Sequence, residues 1–175
     1  KLVYIKPETA QIFVSADLLH WEESSFPAGF EPRCGAEIVE RAGRIWLFGG
    51  GRCDYAGSFG EVWYSDDGLR WERLIDGVSG KPVTPPWPGR MWPCMTVGPT
   101  GTFWVFGGYR VLGGTALNLS DLWYSKDAIK WYQLKATAGS PLEDATMAPR
   151  HAPSCYLDER NALTVVAGKG RANPN

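Results

Sequence analysis

Short apolar runs separated by turn residues dominate the chain, and no long stretch places apolar residues at i, i+3, i+4 and i+7. The runs predict β-strands. A first set covers 35–40, 94–97 and 154–157, each followed by a tight turn: Arg41-Ala42-Gly43-Arg44, Gly98-Pro99-Thr100-Gly101 and Asp158-Glu159-Arg160-Asn161. The Gly, Pro and Asn in these turns supply the φ values that tight hairpins need. A second set covers 45–48, 103–106 and 163–167, a third covers 61–65 and 121–125, and a fourth begins near Trp71 and Trp131. Residues 2–5 and 12–15 read as strands of the second and third sets. Residues 144–148 fit one helical turn, which Pro149 stops.

The strand sets are copies of one unit. Val62-Trp63-Tyr64-Ser65-Asp66-Asp67-Gly68-Leu69-Arg70-Trp71 recurs as Leu122-Trp123-Tyr124-Ser125-Lys126-Asp127-Ala128-Ile129-Lys130-Trp131, and residues 12–21 are a looser copy. Upstream, Arg44-Ile45-Trp46-Leu47-Phe48-Gly49-Gly50 recurs as Thr102-Phe103-Trp104-Val105-Phe106-Gly107-Gly108. Each copy opens on an arginine, at Arg33, Arg90 and Arg150, with Pro93 and Pro153 in register after the last two. A period of about 50–60 residues is too long for one hairpin and suits a four-stranded blade.

This pattern resembles the kelch-repeat β-propeller family, whose signature is a hydrophobic run, a double glycine, then spaced Tyr and Trp. Here it reads as 45–48, Gly49-Gly50, Tyr64 and Trp71, and again as 103–106, Gly107-Gly108, Tyr124 and Trp131. The third copy is degraded, with Gly168 alone where two glycines are expected. The resemblance implies an all-β fold with Arg33, Arg90 and Arg150 on one face near the propeller axis. Gly49, Gly50, Gly107 and Gly108 are then structural, letting backbones pass closely. Trp71 and Trp131 are expected between blades, each burying on the order of 200 Å². Ser65, Asp67, Gly68 and Trp71 are also similar to the Asp-box of sialidases, with Gly and Trp each one residue early, and read as a structural hairpin turn.

The count implies one segment of two complete blades, 28–76 and 85–136, and two partial ones, 1–24 and 148–175. A propeller needs at least about four blades to close, and six at this period need roughly 300 residues. The expectation is a longer parent chain or a homo-oligomer completing the ring. Lys1 and the end at Asn175 fit a removed leader or a piece of a longer chain.

Composition sharpens this picture. Nine Trp with 21 Gly and 13 Pro fit short strands and many turns. A net charge of −1 gives no pull towards nucleic acid or anionic membranes, and no apolar run reaches membrane-spanning length. The four Cys form no CxxC, and with only His20 and His151 no metal site or other cofactor is expected. With the hairpin turn near 42–43, Cys34 faces about Gly51, close enough to Cys53 for a disulfide; two separate thiols are the other reading. A disulfide favours a secreted or periplasmic protein. Cys94 and Cys155 read as core positions.

Candidate chemistry gathers where the first strands begin and the second strands end. Arg33, Arg90 and Arg150 either form a basic ring for a carboxylate or phosphate, or each ties down its own loop through carbonyls and an acidic residue. Arg52, Arg110 and Arg171 follow the glycines on the same face. Residues 51–60 and 109–120 read as variable loops, with Tyr55 and Tyr109 as aromatic contact surface and His151 beside Arg150. The leading expectation is recognition of a protein or of a carbohydrate or anionic ligand through Arg33, Arg52, Arg90, Arg110, Arg150, His151, Tyr55 and Tyr109, without catalytic residues. The alternative is a sugar-active enzyme. Sialic-acid mutarotases are kelch-like propellers, and galactose oxidase has a kelch-like domain. The oxidase's copper site needs more His than this chain has.

Overall fold

The computed structural model of the chain describes residues 2–135, 148–160 and 162–170. Residues 144–147 of the expected turn and Arg171 lie outside them. Fifteen strands make up the described residues, which contain no helix. Strands β1 (Leu2–Ile5), β2 (Gln11–Ser15) and β3 (Glu22–Ser25) form an antiparallel three-stranded sheet. Strands β4 (Cys34–Arg41), β5 (Arg44–Gly51), β6 (Val62–Ser65) and β7 (Glu72–Arg73) form a four-stranded meander. A second meander follows in β8 (Cys94–Val97), β9 (Phe103–Leu112), β10 (Thr115–Ser125) and β11 (Trp131–Leu134). Last come two pairs, β13 (Ser154–Leu157) with β14 (Leu163–Val166), and β12 (Arg150–His151) with β15 (Lys169–Gly170).

Alternation along the strands explains why the sheets stack. On β5 and β6, Trp46, Phe48 and Val62 join Phe103, Val105 and Trp131 of the second meander in one buried cluster. Leu47 and Trp63 point the other way and meet Ile12, Val14 and Phe30. Phe106 and Leu122 of the second meander are covered by Cys155, Leu163 and Val165. Each meander is thus buried on both faces.

The Ser-Asp-Trp turn has the same geometry three times. The Ser65 hydroxyl accepts the Gly68 N–H at 2.8 Å, Asp67 Oδ1 accepts the Leu69 and Arg70 N–H groups, and the Trp71 indole donates to the Gly68 carbonyl at 2.9 Å. Ser125, Asp127 and Trp131 repeat every contact. Ser15 and Asp17 repeat the backbone part. Trp71 and Trp131 are 3% and 7% exposed, whereas Trp21 is 43% exposed.

Three details differ from the sequence reading. Residues 109–120 are not a loop. They extend β9 and β10 into a long hairpin that turns at Gly113 and Gly114, both at positive φ, with a register shift between Leu119 and Leu122. A Gly-Gly pair between β-prone residues is a hairpin signal in itself. Cys94 and Cys155 are not separate core thiols but a disulfide joining β8 to β13, with Cα atoms 5.8 Å apart. The strand expected over 163–167 ends at Val166, since Ala167 and Gly168 take positive φ and turn the chain into β15. Cys34 and Cys53 form the second disulfide, with Cys34 paired to Gly51 across the hairpin.

Candidate functional site

The recurrent arginines are fixed by one set of contacts. Arg33 Nε–H donates to the Glu31 carbonyl and its Nη1–H to the Gly49 carbonyl, at 3.0 and 3.1 Å. Arg90 makes the same bonds to Pro88 and Gly107, and Arg150 to Ala148 and Ala167. Arg90 adds a two-pronged pair with Asp121, both contacts at 2.8 Å, and Arg33 a single one with Glu61 at 3.2 Å. Burial pushes the Asp121 carboxyl up, but the Arg90 bonds and charge outweigh it and hold the group below its usual range. Arg33 lies against the rings of Phe30 and Phe59. With Arg33 4% and Arg90 0% exposed, a basic ring open to ligands does not form from these two residues. They hold the start of each first strand to the end of the second. Their recurrence in every copy has this packing cause.

The glycine pair belongs to the same junction. Gly50 N–H donates to the Arg90 carbonyl at 2.8 Å, and a Cβ on Gly49 would sit 2.6 Å from that oxygen. Gly107 stands in the same relation to the Arg150 carbonyl. Two residues beyond each arginine the backbone enters the left-handed region, at Gly35 (φ 65°), Trp92 (φ 47°) and Ala152 (φ 52°). Backbone bonds link these positions in series: Trp92 N–H donates to the Gly35 carbonyl at 2.7 Å, and Ala152 N–H to the Trp92 carbonyl at 2.8 Å.

Trp92 is the odd residue of that series. The position favours glycine, and a side chain there costs about 1 kcal/mol or more in backbone strain. Trp92 carries the largest side chain at this strained place, and its indole lies over Gly35, where a Cβ would come within 2.9 Å of the ring. It forms the middle of an aromatic wall, with ring centres 5.9 Å from Tyr55, 6.2 Å from Tyr109 and 5.8 Å from His151. Tyr55 is also left-handed, at φ 61°. The wall lines a cleft of about 520 Å³ completed by Ala116, Asn118, Lys169 and Gly170.

The polar groups of the cleft are oriented. Asn118 Nδ2–H donates to the Lys169 carbonyl at 3.3 Å, which turns its Oδ1 towards His151 Nδ1 at 2.7 Å. An amide oxygen only accepts, so Nδ1 carries the proton and Nε2 of a neutral ring keeps its lone pair. Burial first, and then the Lys169 charge, lower the His151 pKa. The imidazole is therefore neutral at pH 7 and can accept a hydroxyl proton through Nε2.

Of the residues singled out in the sequence, Tyr55, Tyr109 and His151 line this cleft, while Arg33, Arg52, Arg90, Arg110 and Arg150 do not. Arg52 pairs with Asp54 at 2.8 Å beside a separate surface cleft. Arg110 leaves β9 on the side opposite Tyr109, cross-strand from Leu117. Trp92, Asn118 and Lys169 were not anticipated. Trp92 had a signal, as the residue that replaces Gly35 and Ala152 in the repeat. Asn118 and Lys169 reach the cleft only through the long hairpin and the β12–β15 pair.

No family model matches the chain, and no curated protein matches it. Among solved structures the chain is similar to YjhT, with a TM-score of 0.63 and 14% sequence identity over 92% of this chain and 45% of that one. The chain therefore spans less than half the length of that protein. At this identity the likeness shows the fold, an all-β, β-propeller-like architecture of small antiparallel sheets.

Proposed function

We propose that this chain is a recognition segment of a kelch-like propeller that binds carbohydrate through the cleft of Tyr55, Trp92, Tyr109 and His151. In this reading the two meanders are complete blades, 28–76 and 85–136, and the segments 1–24 and 148–175 are partial ones. One observation carries the reading: a tryptophan held at a strained backbone position where its repeat equivalents are Gly and Ala, beside three other rings. Flat aromatic faces stack on the apolar face of a pyranose, and His151 Nε2 and Lys169 supply an acceptor and a donor for its hydroxyls. Lys169 also suits an anionic substituent, since no carboxylate lies among the described residues that line the cleft. The two disulfides fit a secreted or periplasmic setting.

The test is a screen of immobilised neutral and acidic glycans with the parent protein and with Trp92→Gly. Glycan binding by the parent that falls at least about tenfold in the variant supports the reading. No bound glycan, or equal binding by both proteins, refutes it. A second reading, a sugar-active enzyme resembling sialic-acid mutarotases, is favoured by the neutral His151, which could move a proton to and from an anomeric hydroxyl. It predicts that the parent speeds anomer exchange of a bound sugar acid, followed by proton NMR, and that His151→Gln does not.

A further inference from the structure

The two disulfides differ in their surroundings. Cys94 is 3% exposed and belongs to the buried cluster with Phe106 and Leu122. Cys34 and Cys53 are both half-buried, and Cys53 lines a surface cleft of about 330 Å³ with Glu31, Arg52 and Asp54. Opening a disulfide requires a thiolate to approach one of its sulfur atoms. Cys155 is half-buried as well but packs against that cluster, so of the two bonds Cys34–Cys53 offers the more open approach, through the cleft that Cys53 lines.

The same bond joins the two supports of the aromatic wall. Cys53 lies two residues before Tyr55, in a short loop closed by the Gly51–Ser58 bridge and by Arg52 N–H donating to the Gly57 carbonyl at 3.0 Å. Cys34 directly precedes Gly35, which takes the Trp92 N–H and makes room for the Trp92 indole. Tyr55 is 52% exposed, so little besides the loop's own bonds and the disulfide holds it beside Trp92.

We propose that the Cys34–Cys53 disulfide is a reducible latch on the aromatic cleft: a dithiol opens it, frees Tyr55 from its place beside Trp92 and weakens ligand binding, while Cys94–Cys155 stays closed. One thiolate of the dithiol attacks Cys53 Sγ and expels Cys34 as thiolate. The second thiol then closes the dithiol into a cyclic disulfide and releases Cys53. Two electrons pass to the protein, and two protons end on the cysteine sulfurs. The effect on ligand affinity rests on the carbohydrate reading, but the order of opening and the release of the loop do not.

The experiment titrates the intact protein with dithiothreitol, traps free thiols by alkylation and maps them by peptide mass, with hydrogen exchange measured in parallel. Cys34 and Cys53 should be labelled at least about tenfold faster than Cys94 and Cys155. Exchange should rise over 51–58 and at the Trp92 amide while β9 and β10 stay protected. Affinity for the tightest glycan of the screen should fall at least about fivefold after selective reduction, and equally in the Cys34→Ser, Cys53→Ser double variant. The latch is overturned if both bonds open together, if 51–58 exchanges no faster once Cys34–Cys53 is open, or if a freed loop leaves glycan affinity unchanged. A screen with no bound glycan refutes the carbohydrate reading instead, and labelling and exchange then decide the latch. Should the double variant fail to fold, selectively reduced parent protein supplies the same comparison.

Discussion

Replacing Arg90 by Met keeps most of the side-chain volume and removes its charge and its donors. The Asp121 carboxylate then loses both 2.8 Å contacts, and the Pro88 and Gly107 carbonyls each lose a donor. Breaking a buried ion pair from one side costs about 3–5 kcal/mol. Asp121 keeps the Trp123 indole donor and an 18% exposed side chain, so the lower end applies, about 3 kcal/mol at pH 7.5. That is a large part of the ~5–15 kcal/mol that holds a domain together. The effect has a pH signature. In the parent, Asp121 is held below its usual value, so its contribution is present above about pH 4 and lost as the pH falls further. In Arg90→Met, burial acts without the arginine and raises the carboxyl, so the variant loses stability as the pH climbs above about 4. The gap between the two proteins should be widest near neutrality and shrink towards pH 4.5, as read by urea unfolding followed through tryptophan fluorescence. A loss below about 1 kcal/mol at pH 7.5, with glycan binding abolished, would refute the reasoning and make Arg90 a ligand group.

Other perturbations have equally defined outcomes. Burial pushes the Glu37 carboxyl up to about 7. The stability this group contributes is full below the ordinary value near 4.3 and lost as the pH rises through about 7. Glu37→Gln should therefore stabilise the protein by about 2 kcal/mol at pH 8 and change little at pH 4, measured as thermal midpoints at both values. Gly107→Ala should cost at least about 2 kcal/mol in urea unfolding, because the new Cβ meets the Arg150 carbonyl at 2.6 Å and the φ of 62° favours glycine. Trp92→Gly should change stability by no more than about 1 kcal/mol, since relief of backbone strain offsets lost ring contacts, while glycan binding measured by calorimetry collapses.

The sequence made the regular part of the fold readable because each unit repeats the same local signals. The turn at Ala42-Gly43 set the hairpin register, and that register alone brought Cys34 to Gly51 and Cys53 within bonding reach. Trp71 and Trp131 were legible for the same reason: a large ring at a fixed distance from a Ser-Asp turn has one place to pack. For the arginines the sequence left two readings open, because recurrence marks a position without saying whether it faces ligand or backbone. Only the contacts to Gly49, Gly107, Glu61 and Asp121 decide that. The Cys94–Cys155 bond was hidden because its partners lie on separate sheets, and no local register relates β8 to β13. Asn118 and Lys169 were hidden in the same way, since the cleft gathers them from two separate strand pairings.

The most direct test of the proposed carbohydrate-binding cleft is a ¹H–¹⁵N NMR titration of the folded protein with the tightest glycan from the screen. The account predicts shift changes concentrated at the Trp92 indole, the Tyr109 amide, the His151 ring and Lys169, saturating with one ligand per chain. Shifts that gather elsewhere, or a Trp92→Gly variant that titrates as the parent does, would contradict it.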